Sequence, residues 1–311
     1  MNQAKTTYAQ YIQESNLILS NKGKTFFWAK FLLNKNHASK AVRLYRFCRH
    51  VDDVGDESTD PILANLMLMQ IINELKIGIS NHPVISDAIN LFNESQININ
   101  IPISLIQGVI SDLSEVRIKD DAALIIYCYQ VAGTVGLMMS KILDIKDNRA
   151  VAHAIDLGIG MQITNICRDV AEDAKMNRRY LPASLIGDIK PLALINPDIQ
   201  TQDKIRNTLK KMLNTADVYY QSGYYGLCFL PIRARLGIVI ASGLYHQIGT
   251  NLVNKNYASW SFRSVVSKKL KAWLTFKILA RSLVDTEFYF NVKPHNSRLH
   301  NSIKEVAYSH A

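Results

Sequence analysis

Apolar residues recur along most of the chain at intervals of three and four, the spacing of one face of an α-helix. The clearest run is Val151, Ile155, Ile159, Ile163, Ile166 and Val170. Alternating apolar and polar runs are few, and no Asn-Gly or Asp-Gly pair signals a hairpin. Prolines are poorly tolerated inside helices, and none falls between Pro102 and Pro182. The pattern predicts helices over 23–33, 38–57, 61–77, 84–95, 102–115, 121–144, 148–174, 202–221, 231–252 and 262–282. The segment 186–202, with Pro191 and Pro197, predicts a loop. A length of 311 residues would allow two domains. No linker interrupts the pattern, so the expectation is one all-α domain over 1–311, with its core at about 15–285.

Composition adds little to the fold and more to the partners. Hydrophobic residues make up 48 % and charged residues 20 %, which fits an ordered globular chain. The formal charge of +10 favours phosphates, acidic ligands or an anionic membrane surface. Part of the excess is local: Arg263, Lys268, Lys269, Lys271, Lys277 and Arg281 follow one another without an intervening acid. The same run also suits a solubilising face. No nucleic-acid-binding module is visible, so nucleic acid is not an expected partner. The four cysteines are scattered and form no CxxC pair, which predicts free thiols in a reducing compartment. The first twenty residues lack a secretory pattern, and no uncharged apolar stretch of membrane-spanning length is expected. The expected location is cytoplasmic, with peripheral contact at the inner face of the membrane.

Three segments carry candidate chemistry. In Tyr45-Arg46-Phe47-Cys48-Arg49-His50-Val51-Asp52-Asp53-Val54-Gly55-Asp56-Glu57, a helix places Asp52 and Asp56 on one face. Carboxylates so placed lie about 6 Å apart and repel each other. A divalent cation offsets that repulsion, and Mg²⁺ prefers carboxylate oxygens and bridges to phosphates. An acidic pair alone also occurs on solvated faces. Here it follows an apolar, aromatic run, which argues for a site. In the second segment, Gln162, Asn165, Asp169 and Asp173 form a polar stripe beside the apolar stripe above. Buried carboxylates need partners, and metal ions supply them. Arg49, Arg168, Arg178 and Arg179 are candidates for phosphate oxygens, which match a guanidinium fork. Each also suits a plain ion pair with a neighbouring acid. In the third, Tyr127 to Gly136, two glycines interrupt an apolar helix. They predict a kink, close packing or the approach of a ligand. Tyr127 offers a π face to a nearby cation.

Together these segments, with the run Leu157 to Pro182, resemble the squalene/phytoene synthase family. The resemblance covers most of the chain. It implies an isoprenoid synthase fold, all-α, around a central cavity. It implies a Mg²⁺-dependent prenyltransferase, with Mn²⁺ as a substitute. Two prenyl diphosphates would join head to head through a cyclopropylcarbinyl diphosphate. By motif position, Asp52, Asp53, Asp56, Asn165, Asp169 and Asp173 would bind metal. Tyr45, Arg49, Gln162, Arg168, Arg178, Tyr180, Tyr245 and Arg263 would contact diphosphate. Tyr127 would sit near the reacting carbons. Tyr45, Arg49, Asp52, Asp169 and Tyr127 form the expected catalytic set. Asn21 to Phe27 departs from the family by carrying Gly23 where a serine is usual, and Gly55 interrupts the first acidic motif.

Small residues at Ala38, Ala41 and Val42 leave the cavity end open on the first acidic helix. They favour geranylgeranyl diphosphate and phytoene over farnesyl diphosphate, which would give presqualene diphosphate, dehydrosqualene or squalene. NADPH would be needed only for squalene. A class I terpene cyclase and a non-catalytic membrane-associated assembly factor are the remaining alternatives. The intact acidic motifs argue against the second.

Overall fold

The structure, a computed structural model, describes residues 32–56, 58, 60–290 and 293–307. The predicted helix over 23–33 and the Asn21 to Phe27 segment lie almost wholly outside the described residues. The elements are α1 (Lys35–Asp56), α2 (Pro61–Ile77), α3 (Pro83–Glu94), α4 (Asn100–Ser111) and α5 (Asp121–Cys128). A π turn (Tyr129–Gly133) joins α5 to α6 (Thr134–Ile142). Then follow α7 (Arg149–Arg168), α8 (Val170–Lys175), α9 (Ala183–Ile186), α10 (Ile199–Tyr225) and α11 (Ile232–Asn254). The chain ends with α12 (Lys268–Val284), α13 (Thr286–Phe290) and α14 (Lys304–Ala307). Among the described residues there is no strand, only an isolated parallel bridge between Arg117 and Arg179. The fold is all-α, as the periodicity predicts.

Local signals account for the boundaries. Asp60 caps α2 by accepting from the Ile62 and Leu63 amides, Pro61 opens the helix, and Gly78 closes it at φ 78°. Asp120, Asp198 and Ser267 cap α5, α10 and α12 in the same way. The helix expected from 262 begins only at Lys268, behind the Ser267 cap. The helix expected over 148–174 breaks at Asp169, at φ −101° and ψ 16°. Hydrogen bonds from Asp169 N to Asn165 O (2.9 Å) and from Asp173 N to Asp169 O (2.8 Å) carry the ladder across the break. The acidic stripe therefore keeps its direction.

Helix α7 is the hub, packed by α6, α10, α11 and the π turn. Its apolar stripe is buried from Ile155 to Val170. Helix α1 packs on α3, where buried Arg43 holds Asp87 (Nε–Oδ1 2.9 Å) and Glu94 (2.8 Å). Phe47 of α1 meets Phe92 edge to face at 5.2 Å. Gly55 does not loosen α1, which stays helical to Asp56. It lets Val109 of α4 approach where a Cβ would meet Val109 at 2.7 Å. The run Asp121–Ile142 is long and apolar enough to cross a membrane by length and composition, contrary to expectation. Its Tyr129 and Met138 are fully buried in the main core, and Val135 and Gly136 wall the cavity described next.

Candidate active site

A cavity of about 340 Å³ lies between α1, α6, α7 and α11. From α1 it is lined by Ala41, Val42, Tyr45, Cys48 and Asp52, and from α7 by His153, Leu157, Met161, Gln162 and Asn165. Both helices thus run from apolar residues to polar ones, so the cavity has an apolar interior and a polar mouth. Ala38 is absent from the lining, which corrects the expectation that it borders the tail end; Ala41 and Val42 are present. Cys48 and Cys228 are partly exposed, whereas Cys128 and Cys167 are buried; all four thiols are free.

Acids and arginines from distant parts of the sequence meet at the mouth. Arg178 Nη1 lies 3.0 Å from Asp56 Oδ1, joining the end of α1 to the loop after α8. Arg263 Nε lies 2.8 Å from Asp169 Oδ1 and 3.4 Å from Glu172 Oε2. Arg263 therefore belongs to the mouth and not to the basic run of α12. Arg49 pairs with Asp53 one turn along α1, and Arg168 pairs with Asp169 beside it. Asp53 turns to Arg49 and is absent from the cavity lining. Tyr245 lines the cavity near Tyr45, Arg168 and Asp169.

A further carboxylate joins them that periodicity did not single out. Asp112, at the end of α4, accepts hydrogen bonds from Tyr127 Oη (2.8 Å) and Tyr180 Oη (2.7 Å). The two rings lie 4.9 Å apart. Tyr127 does not line the cavity, so its expected place beside the reacting carbons is corrected: its hydroxyl and ring face Asp112 and Tyr180. The one available signal was an acid directly after the apolar run of α4, as Asp52 follows that of α1. Arg179 is also corrected. It is 2 % exposed, donates to the Ile118 and Leu181 carbonyls (3.2 and 2.7 Å) and pairs with Asp188. Its role is to tie the segment at 117 to that at 179.

The electrostatics separate two kinds of acid. Burial, reinforced by neighbouring carboxylates, pushes Asp52 up to about 7 and Asp173 to about 8. Burial likewise lifts Asp112 to about 6. Asp169 is also desolvated, yet Arg168 and Arg263 hold it below its ordinary value. Asn165 Oδ1 is buried without a hydrogen-bond partner. An orphaned amide oxygen beside two carboxylates that resist ionisation is an all-oxygen donor set short of positive charge. Hard divalent cations fit such a set.

A sequence model of the family described as Squalene/phytoene synthase matches residues 19–271. The 15-cis-phytoene synthase of Enterobacter agglomerans is 31 % identical over 258 residues, 78 % of this chain and 86 % of that protein. The 15-cis-phytoene synthase of Pantoea ananas is 29 % identical over 276 residues, 84 % of this chain and 88 % of that one. Among solved structures, a dehydrosqualene synthase in complex with ligand superposes with a TM-score of 0.77 at 24 % identity, over 90 % of this chain and 99 % of that one. A squalene synthase from Alicyclobacillus acidocaldarius gives 0.69 at 17 %, over 79 % and 94 %. The fold is the isoprenoid synthase fold, with an acid-lined mouth over an apolar cavity. The chain belongs to the squalene/phytoene synthase family and is a prenyltransferase of that type.

Proposed function

We propose that the protein joins two geranylgeranyl diphosphates head to head to make phytoene, with Mg²⁺ held at the mouth by Asp52, Asp56, Asn165, Asp169 and Asp173. The observation that carries this reading is the polarity of the cavity between α1, α6, α7 and α11. A prenyl tail fits its apolar interior, and a diphosphate fits its end at Asp52, Gln162 and Asn165, beside the acid and arginine pairs described above. Bound there, the cations would neutralise the leaving diphosphate as its C–O bond breaks. Arg49, Arg168, Arg178 and Arg263 supply guanidinium forks for phosphate oxygens, and Tyr45, Gln162 and Tyr245 supply polar groups at the rim. The apolar wall excludes water from the allylic cation, so the double bond of the second substrate captures it. Loss of a proton then closes the cyclopropylcarbinyl diphosphate. Asp112 fixes the Tyr127 and Tyr180 hydroxyls at the acid cluster, outside the cavity lining.

Val42 supports the longer substrate. It is 2 % exposed, lines the cavity and lies ten residues before Asp52 on α1, roughly 15 Å along the axis. Mass analysis of hydrocarbon made with Mg²⁺ and either diphosphate, with and without NADPH, tests the proposal. Phytoene from geranylgeranyl diphosphate is the expected result, and Val42→Trp should shift preference to farnesyl diphosphate. A parent enzyme that turns over farnesyl diphosphate much faster defeats the length assignment.

Helix α12 supports peripheral attachment to an anionic bilayer. Trp273, Phe276, Ala280 and Leu283 follow a spacing of three, four and three, and all are exposed. Phe276 and Leu283 are 72 % and 78 % exposed. Lys268, Lys269, Lys277 and Arg281 accompany this stripe, and Lys277 sits 5.1 Å from the centre of the Trp273 ring. No acid lies on α12. An aromatic stripe between lysines is the pattern of a helix lying in the headgroup layer. Flotation with anionic vesicles should bring the protein up at low salt. Phe276→Ser with Leu283→Ser should abolish binding, and Lys277→Gln with Arg281→Gln should weaken it. Flotation unaffected by either pair would sink the attachment.

A further inference from the structure

Behind the cavity, away from the acidic mouth, lies a second polar cluster. Asp156 on α7 is 0 % exposed. Its Oδ2 lies 2.8 Å from His295 Nε2, and its Oδ1 lies 2.8 Å from His300 Nε2. Ser222 of α10 donates its hydroxyl to Asp156 Oδ2, and Ser222 Oγ is 3.0 Å from His153 Nδ1. The ligand-type atoms of Asp156, His295 and His300 all lie within 4.8 Å of one another. His153 is 1 % exposed, its Nε2 is buried without a hydrogen-bond partner, and its ring is 5.4 Å from that of His295.

A buried carboxylate is costly unless a full positive charge accompanies it. Among the described residues, Asp156 has no arginine or lysine ion-pair partner; its ion-pair contacts are the two imidazoles. A cation held by the carboxylate and the two imidazole nitrogens, whose ligand atoms lie within 4.8 Å of one another, would supply such a charge. Two imidazole nitrogens and a carboxylate are the donor set of a borderline ion such as Zn²⁺, not of Mg²⁺. The two histidines are separated by four residues, a spacing usual for zinc ligands. Ser222 would serve as the outer partner that fixes the ligating carboxylate.

We propose that Asp156, His295 and His300 form a transition-metal site of zinc type, distinct from the Mg²⁺ centre. Each imidazole then carries its proton on Nδ1 and presents Nε2 to the ion. The ion clasps the segment 293–307 to α7, while His153 and Gly226 connect the clasp to the cavity wall. The proposal is independent of which prenyl diphosphate the enzyme uses.

The test uses the full chain, stripped with chelator and titrated with Co²⁺ as a spectroscopic probe. The expected result is the intense visible absorption of low-symmetry cobalt with nitrogen ligands, saturating at one equivalent. Zn²⁺ should displace it. His295→Ala and His300→Ala should lose the band, and Asp52→Asn should keep it. Zn²⁺ should raise the Tm of the stripped parent and not of either histidine variant. Should His300→Ala fail to fold, His295→Gln serves, because His295 lies nearer the surface. No cobalt band, or the same band in parent and His295→Gln, would show a plain hydrogen-bonded clasp and overturn the metal site.

Discussion

Asp52→Asn and Asp173→Asn should lower turnover by several orders of magnitude, yet should make the metal-free protein more stable at about pH 8. The two effects share one cause. Each carboxylate sits where burial and neighbouring acids oppose ionisation, at about 7 for Asp52 and about 8 for Asp173. The unfolded chain ionises both near 3.9. A raised folded-state pKa means that the native state holds protons the unfolded state has released. Stability is then highest below about pH 4 with respect to these groups and is lost as pH rises toward 8. Asparagine removes the charge and with it this loss. It would also remove a proposed ligand whose negative charge holds the cations that neutralise the leaving diphosphate. Mg²⁺ should restore stability to the parent more at pH 8 than at pH 6, because fewer protons must be displaced. Thermal melts with and without Mg²⁺, beside steady-state assays, read both arms. Full activity in either variant, or parent melts that ignore pH and Mg²⁺ alike, would remove the basis for a metal centre here.

Gly158→Ala should cost about 3 kcal/mol, near the upper end for an overpacked core. That corresponds to a Tm lower by roughly 5 °C in a chain of this size. A Cβ at Gly158 would overlap the Ala132 carbonyl, and one at Gly136 would overlap that of Ala154. Backbone meets backbone at both points, so no side chain can swing aside. The crossing joins α7 to the π turn and α6, where the chain deviates from α geometry. Gly158, Ala132, Gly136 and Ala154 all line the cavity, so any forced separation also deforms the wall against which a prenyl tail would lie. Gly249→Ala is the control: its Cβ would meet only a Leu213 methyl at 3.2 Å. A Gly158→Ala protein melting within about 2 °C of the parent would show that the crossing tolerates extra bulk.

Much of this was readable in the residues, and the remainder was not for definite reasons. The apolar stripe of α7 and the four-residue spacing of its acids are properties of one helix, so sequence spacing suffices to find them. The break at Asp169 left no mark, because the hydrogen-bond ladder continues across it. Asp112 escaped because its partners, Tyr127 and Tyr180, are fifteen and sixty-eight residues away. Arg178 and Arg179 are neighbours in sequence with opposite fates, since the bridge to Arg117 turns one toward Asp56 and buries the other. Nothing local distinguishes them. His295 and His300 sit in a polar tail whose composition gives no hint that Asp156 waits beneath it.

The mouth also reverses the sign of the molecule around it. The chain carries a formal charge of +10. At the mouth, Asp52, Asp53, Asp56, Asp112, Asp169, Glu172 and Asp173 outnumber Arg49, Arg168, Arg178 and Arg263. Helices α1 and α7 both end there, adding the negative ends of their macrodipoles. Beyond a screening length of about 8 Å, an approaching anion meets a cationic protein. Closer in, it meets a local field that rejects it. A diphosphate would be drawn to the surface and opposed at the entrance, unless cations held among these carboxylates reverse the local sign and let both fields attract it. The charge layout would thus make entry of a diphosphate depend on cations before any specific contact is made.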